Sequence, residues 1–294
     1  MQVTIYGVRG SVPVPGPTTV RYGGNTVCVG VVLADGSQLF VDAGTGLRIL
    51  GDELTKANFR GKVHFLLSHR HYDHIIGLPF FSPIYSPHTE LCIYPLMNEA
   101  VERRRPRADI FDGIQTPLHL DQLGATFTHC HFDNDEPWKI GSARVRRIQL
   151  NHPGGAQGFR IDDADGTSFT YLTDNELYPP GVPATTPAEQ AEFARGTGLL
   201  IADAQYLPED LPEKRGWGHS TVPQVLQLGR EAAPLCQLLF HHDPGRTDAM
   251  LDSIAEQAAE FARAEMTRGP VLTAMEGMRF EVGVDAVTLL DDTP

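Results

Sequence analysis

A chain of 294 residues that is 41% hydrophobic and 21% charged has an ordinary globular composition and enough length to bury a large core. Its 37 acidic against 24 basic residues give a net charge of −13, which argues against a long nucleic acid as ligand, since affinity for phosphate backbones comes from many Lys and Arg contacts. No apolar run approaches the roughly 20 residues of a membrane span, no signal-like segment opens the chain and nothing marks a linker, so one domain over residues 1–294, in the cytoplasm, is expected.

Met1 to Val8 alternates like a strand and leads into a Pro/Gly-rich loop, Arg9 to Pro17. A second strand, Val27 to Leu33, turns at Asp35-Gly36 into a third, Leu39-Phe40-Val41. Three short strands in succession predict a mainly antiparallel sheet. Asp42-Ala43-Gly44-Thr45-Gly46 closes the third strand, and a helix is expected over Leu47 to Ala57.

The apolar run Val63 to Ser68 ends in His69-Arg70-His71-Tyr72-Asp73-His74. Three imidazoles and a carboxylate in six positions are costly beside a core unless something binds them, and a metal does. His69 and His71, two apart on an extended strand end, project to one side; Asp73 and His74 follow on a turn and can aim at a neighbouring point, so one segment can serve two ions. His-x-His-x-Asp-His after an apolar strand resembles the signature of the metallo-β-lactamase superfamily, and the likeness runs to about Arg279. It implies an α/β, four-layer αββα sandwich with a dinuclear metal centre at one edge of its two sheets. In that pattern Asp42 is either an acceptor supporting a ligand histidine or a structural turn residue.

Ile75 to Phe81 reads as the start of a helix and a wall of the site, with Phe80 and Phe81 as core or stacking residues. The run Glu102-Arg103-Arg104-Arg105-Pro106-Arg107 is the most basic in the chain and reads as a solvated helix end, or as a phosphate contact. His119, His129 and His131 lack a ligand-like context. Cys28, Cys92, Cys130 and Cys236 are widely spaced without a Cys-x-x-Cys pair, so buried free thiols are expected.

Further on, strand ends repeatedly deliver a polar residue: Ala143–Leu150 is followed by Asn151-His152-Pro153-Gly154-Gly155, Ser168–Leu172 by Thr173-Asp174, and Leu199–Ala202 by Asp203. Gly216-Trp217-Gly218-His219-Ser220-Thr221 opens a helix capped by Ser220 or Thr221. A last core strand, Leu235 to Phe240, delivers His241-His242, and a helix over Asp248–Met266 precedes a closing strand segment, Val271–Phe280.

Carried over by resemblance, the first ion takes His69, His71 and His152; the second takes Asp73, His74 and His242, in preference to His241; Asp174 bridges. Zinc is the first expectation for these two divalent ions, with manganese, iron, cobalt and nickel also compatible. The resemblance implies hydrolysis by a metal-bridging hydroxide. Asp203 and the Gly218-His219-Ser220-Thr221 element look like the carboxylate and Gly-His-Ser-Thr elements of ribonuclease Z and related phosphodiesterases, placing Asp203 and His219, beside Asp73, in catalytic roles. No Gly/Pro/Lys-rich tRNA-gripping arm is evident, so the expected substrate is a small or cyclic nucleotide phosphodiester. Alternatives are a tRNA 3′ endonuclease, a hydrolase of another ester, thioester or lactone, and a sensor without turnover. Relatives in this branch are often dimers, so a homodimer is expected.

Overall fold

The computed structural model describes residues 1–97, 111, 116, 119, 122–130 and 137–290; the basic run Glu102–Arg107 lies outside them. The described chain is mixed α/β, with two sheets and six α-helices. The first sheet uses β1 (Gln2–Gly7), β2 (Cys28–Val32), β3 (Gln38–Val41), β4 (Gly61–Leu66), β5 (Thr89–Ile93) and β6 (Thr126–His129), joined by β14 (Arg279–Val282) and β15 (Val287–Leu290) in the order β15-β14-β1-β2-β3-β4-β5-β6. The second holds β7 (Trp138–Ile140), β8 (Ala143–Leu150), β9 (Ala156–Asp162), β10 (Ser168–Leu172), β11 (Leu199–Asp203), β12 (Cys236–Phe240) and β13 (Val271–Thr273), in the order β13-β12-β11-β10-β9-β8-β7.

Side-chain alternation along the strands builds the layers. In β11, Leu199 and Ile201 point between the sheets, whereas Leu200 and Ala202 point outward; Leu238 and Phe240 of β12 face inward and Leu239 outward. The inner core joins Val3, Ile5, Val29 and Val41 to Phe159, Phe169, Tyr171 and Phe240. Helices α3 (Pro187–Ala194), α5 (Val222–Ala232) and α6 (Asp248–Ala264) cover the second sheet through Ala191, Val225, Leu228, Leu251 and Ile254. On the first sheet, α1 (Leu47–Lys56) and the 3-10 turns at Leu78–Phe80 and Ser82–Tyr85 bury Leu47, Leu50, Phe81 and Ile84 against Phe40 and Phe65. This is the expected αββα sandwich.

Several sequence expectations are corrected. The first sheet is antiparallel only from β15 to β3; β3 to β6 run parallel. Val271–Phe280 is not one strand: β13 pairs parallel with β12, whereas β14 pairs antiparallel with β1, because the chain crosses between sheets at Met275–Gly277, where Gly277 takes φ +84°. Ile75–Phe81 divides into the end of a one-turn helix, α2 (Tyr72–Ile75), and a 3-10 turn that leaves Phe80 61% exposed and Phe81 fully buried. Cys28 and Cys236 are buried free thiols, but Cys92 and Cys130 form a disulfide, since the parallel pairing of β5 and β6 brings their Cα atoms to 5.6 Å. Among the described residues no helix is long and apolar enough to cross a membrane. The remaining helix, α4 (Leu211–Lys214), is a single turn before the Gly216–Thr221 segment.

Candidate metal centre

Strand ends from both sheets meet at one edge. Three non-glycine residues there, Asp42 after β3, Asp174 after β10 and His241 after β12, take left-handed backbone (φ 59°, 57° and 60°), turning the chain sharply as it leaves the core. His71 is the N-cap of α2, so Asp73 and His74 sit in its first turn, both buried.

Two groups of ligand atoms result, each closing within 4.8 Å: His69, His71, His152 and Asp174, and Asp73, His74, Asp174 and His241. In the first, His152 Nε2 lies 3.0 Å from His71 Nδ1, and Asp174 Oδ1 lies 3.7 Å from both His69 Nε2 and His152 Nε2. In the second, Asp174 Oδ2 lies 3.1 Å from His74 Nε2 and from His241 Nε2, and Asp73 Oδ2 is 3.2 and 3.4 Å from the same two atoms. The two oxygens of Asp174 thus address different groups.

The partners behind the rings fix their tautomers. His152 Nδ1 donates to the Gly218 carbonyl (3.0 Å), His241 Nδ1 to Gln205 Oε1 (2.6 Å) and His74 Nδ1 to Asp42 Oδ2 (2.8 Å). Ser68 Oγ gives its hydrogen to Asp42 Oδ2 and so accepts from His69 Nδ1 at 3.0 Å. In its neutral form each of these rings presents Nε2 inward as a lone pair. Asp42 also accepts from Ser68 N and the Tyr171 hydroxyl. The Ser11 amide, arriving from the N-terminal loop, donates to Asp73 Oδ2 (2.8 Å).

This donor set fits divalent cations. The Nε2 atoms of His69, His74 and His241 are buried without a hydrogen-bond partner, an arrangement that costs free energy unless a cation is bound. Burial lowers the His152 pKa to about 4 and holds His69 well below the usual imidazole range. For His74 and His241 burial also disfavours charge, but Asp174, with Asp73 and other neighbouring carboxylates, overrides it; His241 rises to about 9 and His74 well above its ordinary value. These carboxylates demand positive charge, and a divalent ion can replace the protons. Asp174 itself is held far below the usual carboxylate range by His241, His74 and His69, against its own burial.

The structure thus brings His69, His71, Asp73, His74, His152 and Asp174 together. His242 is corrected: its Nε2 bonds the Ala274 carbonyl (2.9 Å), burial lowers its pKa to about 3, and it packs edge-on to Tyr22. The left-handed turn at His241 sends that residue into the site and its neighbour away. Asp203 and His219 form a third group with His241. His219 Nδ1 lies 2.7 Å from Asp203 Oδ2, and its ring stacks on His241 (centroids 5.0 Å) and stands edge-on to His152 (5.2 Å). Asp203 is fixed by the amides of Gln205 and Asn175. The loop before His219 is clamped by buried Glu176, which accepts from the amides of Gly216 and Gly218. Gly218 (φ +91°) presses on His152, where a Cβ would collide with Nδ1. Thr221 is the N-cap of α5, while Ser220 Oγ bridges the Asn175 carbonyl and the Leu177 amide. Sequence reasoning missed Gln205, Ser11 and Glu176; only Gln205, two residues past Asp203, carried a positional hint.

A family model described as a beta-lactamase superfamily domain matches residues 38–242, which include every ligand-type residue above. The chain belongs to the β-lactamase superfamily. Within reach of this superfamily member, an uncharacterized protein of Mycobacterium leprae (strain TN) is 27% identical over 296 residues, covering 96% of this chain and 89% of its own. A ribonuclease Z of Bradyrhizobium sp. (strain ORS 278) is 28% identical over 259 residues, 74% of this chain and 83% of its own. The crystal structure of a diphosphatase from the PhnP family shares the fold, with TM-score 0.66 and 17% identity over 95% of this chain and 97% of that one.

Proposed function

We propose that this protein is a dinuclear metal-dependent hydrolase that cleaves small or cyclic nucleotide phosphodiesters. The observation that carries the reading is the Asp203–His219 pair standing against ligand rings of both groups. His69, His71, His152 and Asp174 would hold one ion, and Asp73, His74, Asp174 and His241 the other, zinc being the first expectation. Two divalent ions so placed supply Lewis acidity and a water of pKa near 7.

The chain's own residues do the rest. Asp174 holds the two groups in register through its separate oxygens. Asp203 accepts from His219 Nδ1, so the second proton of the imidazolium form is carried on Nε2, and the ring can hand it to the departing alkoxide oxygen of the substrate, returning to neutral imidazole. The Glu176 clamp on Gly216 and Gly218 keeps that ring at its station.

The test is His219→Ala in protein loaded with zinc or, separately, manganese. Turnover of a cyclic mononucleotide should fall by about 10² to 10⁴ with both ions retained, and methyl 4-nitrophenyl phosphate, whose leaving group needs no proton, should suffer far less. Equal loss on both substrates, or none, defeats the assignment of His219. A tRNA 3′ endonuclease is the second reading, favoured by the likeness to a ribonuclease Z. Cleavage of a 3′-extended tRNA precursor with no turnover of cyclic mono- or dinucleotides would establish it instead.

A further inference from the structure

Arg9 opens the N-terminal loop and is 0% exposed, a rare state for an arginine. Its guanidinium bonds only to backbone: Nε donates to the Gly23 carbonyl (2.8 Å), and Nη1 to the carbonyls of Arg246 (2.7 Å) and Asp243 (3.4 Å). Nη2 is buried without a hydrogen-bond partner, and among the described residues Arg9 makes no ion pair. The carboxylates of Asp248, Glu276 and Asp243 compensate its charge only at longer range. A buried cation left partly unsatisfied costs free energy that an apolar side chain of similar volume would avoid, so packing alone does not account for it.

What the guanidinium holds is the segment of residues 8–11. It ties together the two stretches that flank this segment, Gly23 ahead of β2 and residues 243–246 after β12. The segment's own backbone pairs with both sides. The Val8 and Arg9 amides donate to the Asn25 carbonyl (3.0 and 2.9 Å), the His242 amide to the Val8 carbonyl (2.9 Å) and the Gly10 amide to the His242 carbonyl (3.0 Å). Two contacts with the second ligand group result. Gly10 lies against the His241 ring where Nδ1 meets Gln205 Oε1; a Cβ there would collide with both, although Gly10 itself has no left-handed φ. Ser11, held at φ +64°, aims its amide at Asp73 Oδ2 (2.8 Å). Of the two ion-binding groups, His241 and Asp73 belong only to the second.

We propose that Arg9 is a positioning residue for the second ion: by fixing residues 8–11 it sets the His241 ring through Gly10 and the Asp73 carboxylate through the Ser11 amide. The inference rests on the two-ion reading of the centre and holds whatever ester is cleaved there.

The experiment measures cobalt(II) affinity of the full chain by visible absorption, one group at a time. His71→Ala with His152→Ala strips two ligands from the first group, and His74→Ala with His241→Ala strips two from the second, so each background reads the group left whole. In the first background Arg9→Met should weaken cobalt binding by about tenfold, the lower end of what losing a ligand's supporting contact costs. Gly10→Ala reaches the same ring without touching the guanidinium and should act likewise. In the second background both changes should leave the affinity within about twofold, as independent sites do. A residue that served folding alone would weaken both groups alike, or neither. Equal weakening in the two backgrounds, or none from Arg9→Met in the first, overturns the proposal. If Arg9→Met does not fold, Arg9→Lys, which keeps the cation but not its three-way geometry, must show the same selectivity or the proposal fails. Wild-type stoichiometry reports the two-ion reading separately: two cobalt ions in the wild type with no selectivity in the variants sinks the role of Arg9 alone.

Discussion

Adjacent histidines at the end of β12 provide a sharp test of the centre, because the structure gives them opposite duties. His241 Nε2 lies 3.1 Å from Asp174 Oδ2 and 3.4 Å from Asp73 Oδ2, whereas His242 Nε2 bonds a backbone carbonyl at 2.9 Å. A complete four-ligand zinc site is worth about 10–16 kcal/mol, so one ligand contributes roughly 3 kcal/mol, or about 100-fold in affinity. His241→Ala should therefore weaken the second ion by about that factor and leave the first bound, since the first group does not use this residue. His242→Ala should retain two ions and lose about 2 kcal/mol of stability, from an orphaned buried carbonyl and a void beside Tyr22. Metal content by mass spectrometry after equilibration in zinc buffers of fixed free concentration, with denaturant unfolding of the metal-free proteins, reads both effects. Two ions at full affinity in His241→Ala, with loss in His242→Ala, would refute the reasoning.

Asp174→Ala removes the residue common to both groups, and bound metal should drop to one ion or none; two fully bound ions would end its bridging role. Phe81 is fully buried against Phe40 and Phe65, so Phe81→Ala should cost about 3–5 kcal/mol in denaturant unfolding, whereas Phe80→Ala, at an exposed position, should stay within about 0.5 kcal/mol. His64 has its pKa lowered to about 4, by burial first and then by Lys62. The unfolded chain therefore takes up this proton first, near pH 6.5, and the contribution of His64 is whole above that pH and is lost as the pH falls toward 4. In metal-free protein His64→Leu should flatten the acid loss of stability by at most about 1.4 kcal/mol per pH unit, and an unchanged slope between pH 6.5 and 4 would contradict this.

Much of this arrangement was legible in the sequence because strand ends punctuate it. Short apolar runs located β3, β4, β10, β11 and β12, and each was followed by a polar residue too costly to leave idle. What stayed hidden depends on backbone torsion and long-range pairing. Nothing in Leu-Leu-Phe-His-His announces a left-handed residue at His241, so the choice of ring fell on His242, one position off. The sheet change between β13 and β14 is set by pairing with strands more than 30 and 270 residues away. The Cys92–Cys130 bond follows from the juxtaposition of β5 and β6, across a stretch with little strand signal. The Ser11 amide on Asp73 is a backbone contact, invisible to any reading of side-chain types.

The sequence span of the two ligand groups imposes an order on their assembly. All residues of the first group have been synthesised once Asp174 is added, whereas the second waits for His241, for β12 to dock beside β11, and for Ser11 to return from the start of the chain. Under the proposed two-ion reading, a nascent chain could capture one ion before it offers a second site, and the later ion would act as a latch on the finished topology. An ion that binds only the folded form, at a free concentration 100 times its Kd, adds about 2.7 kcal/mol. Cellular metal supply would then govern how much of this protein matures, as well as how fast it turns over.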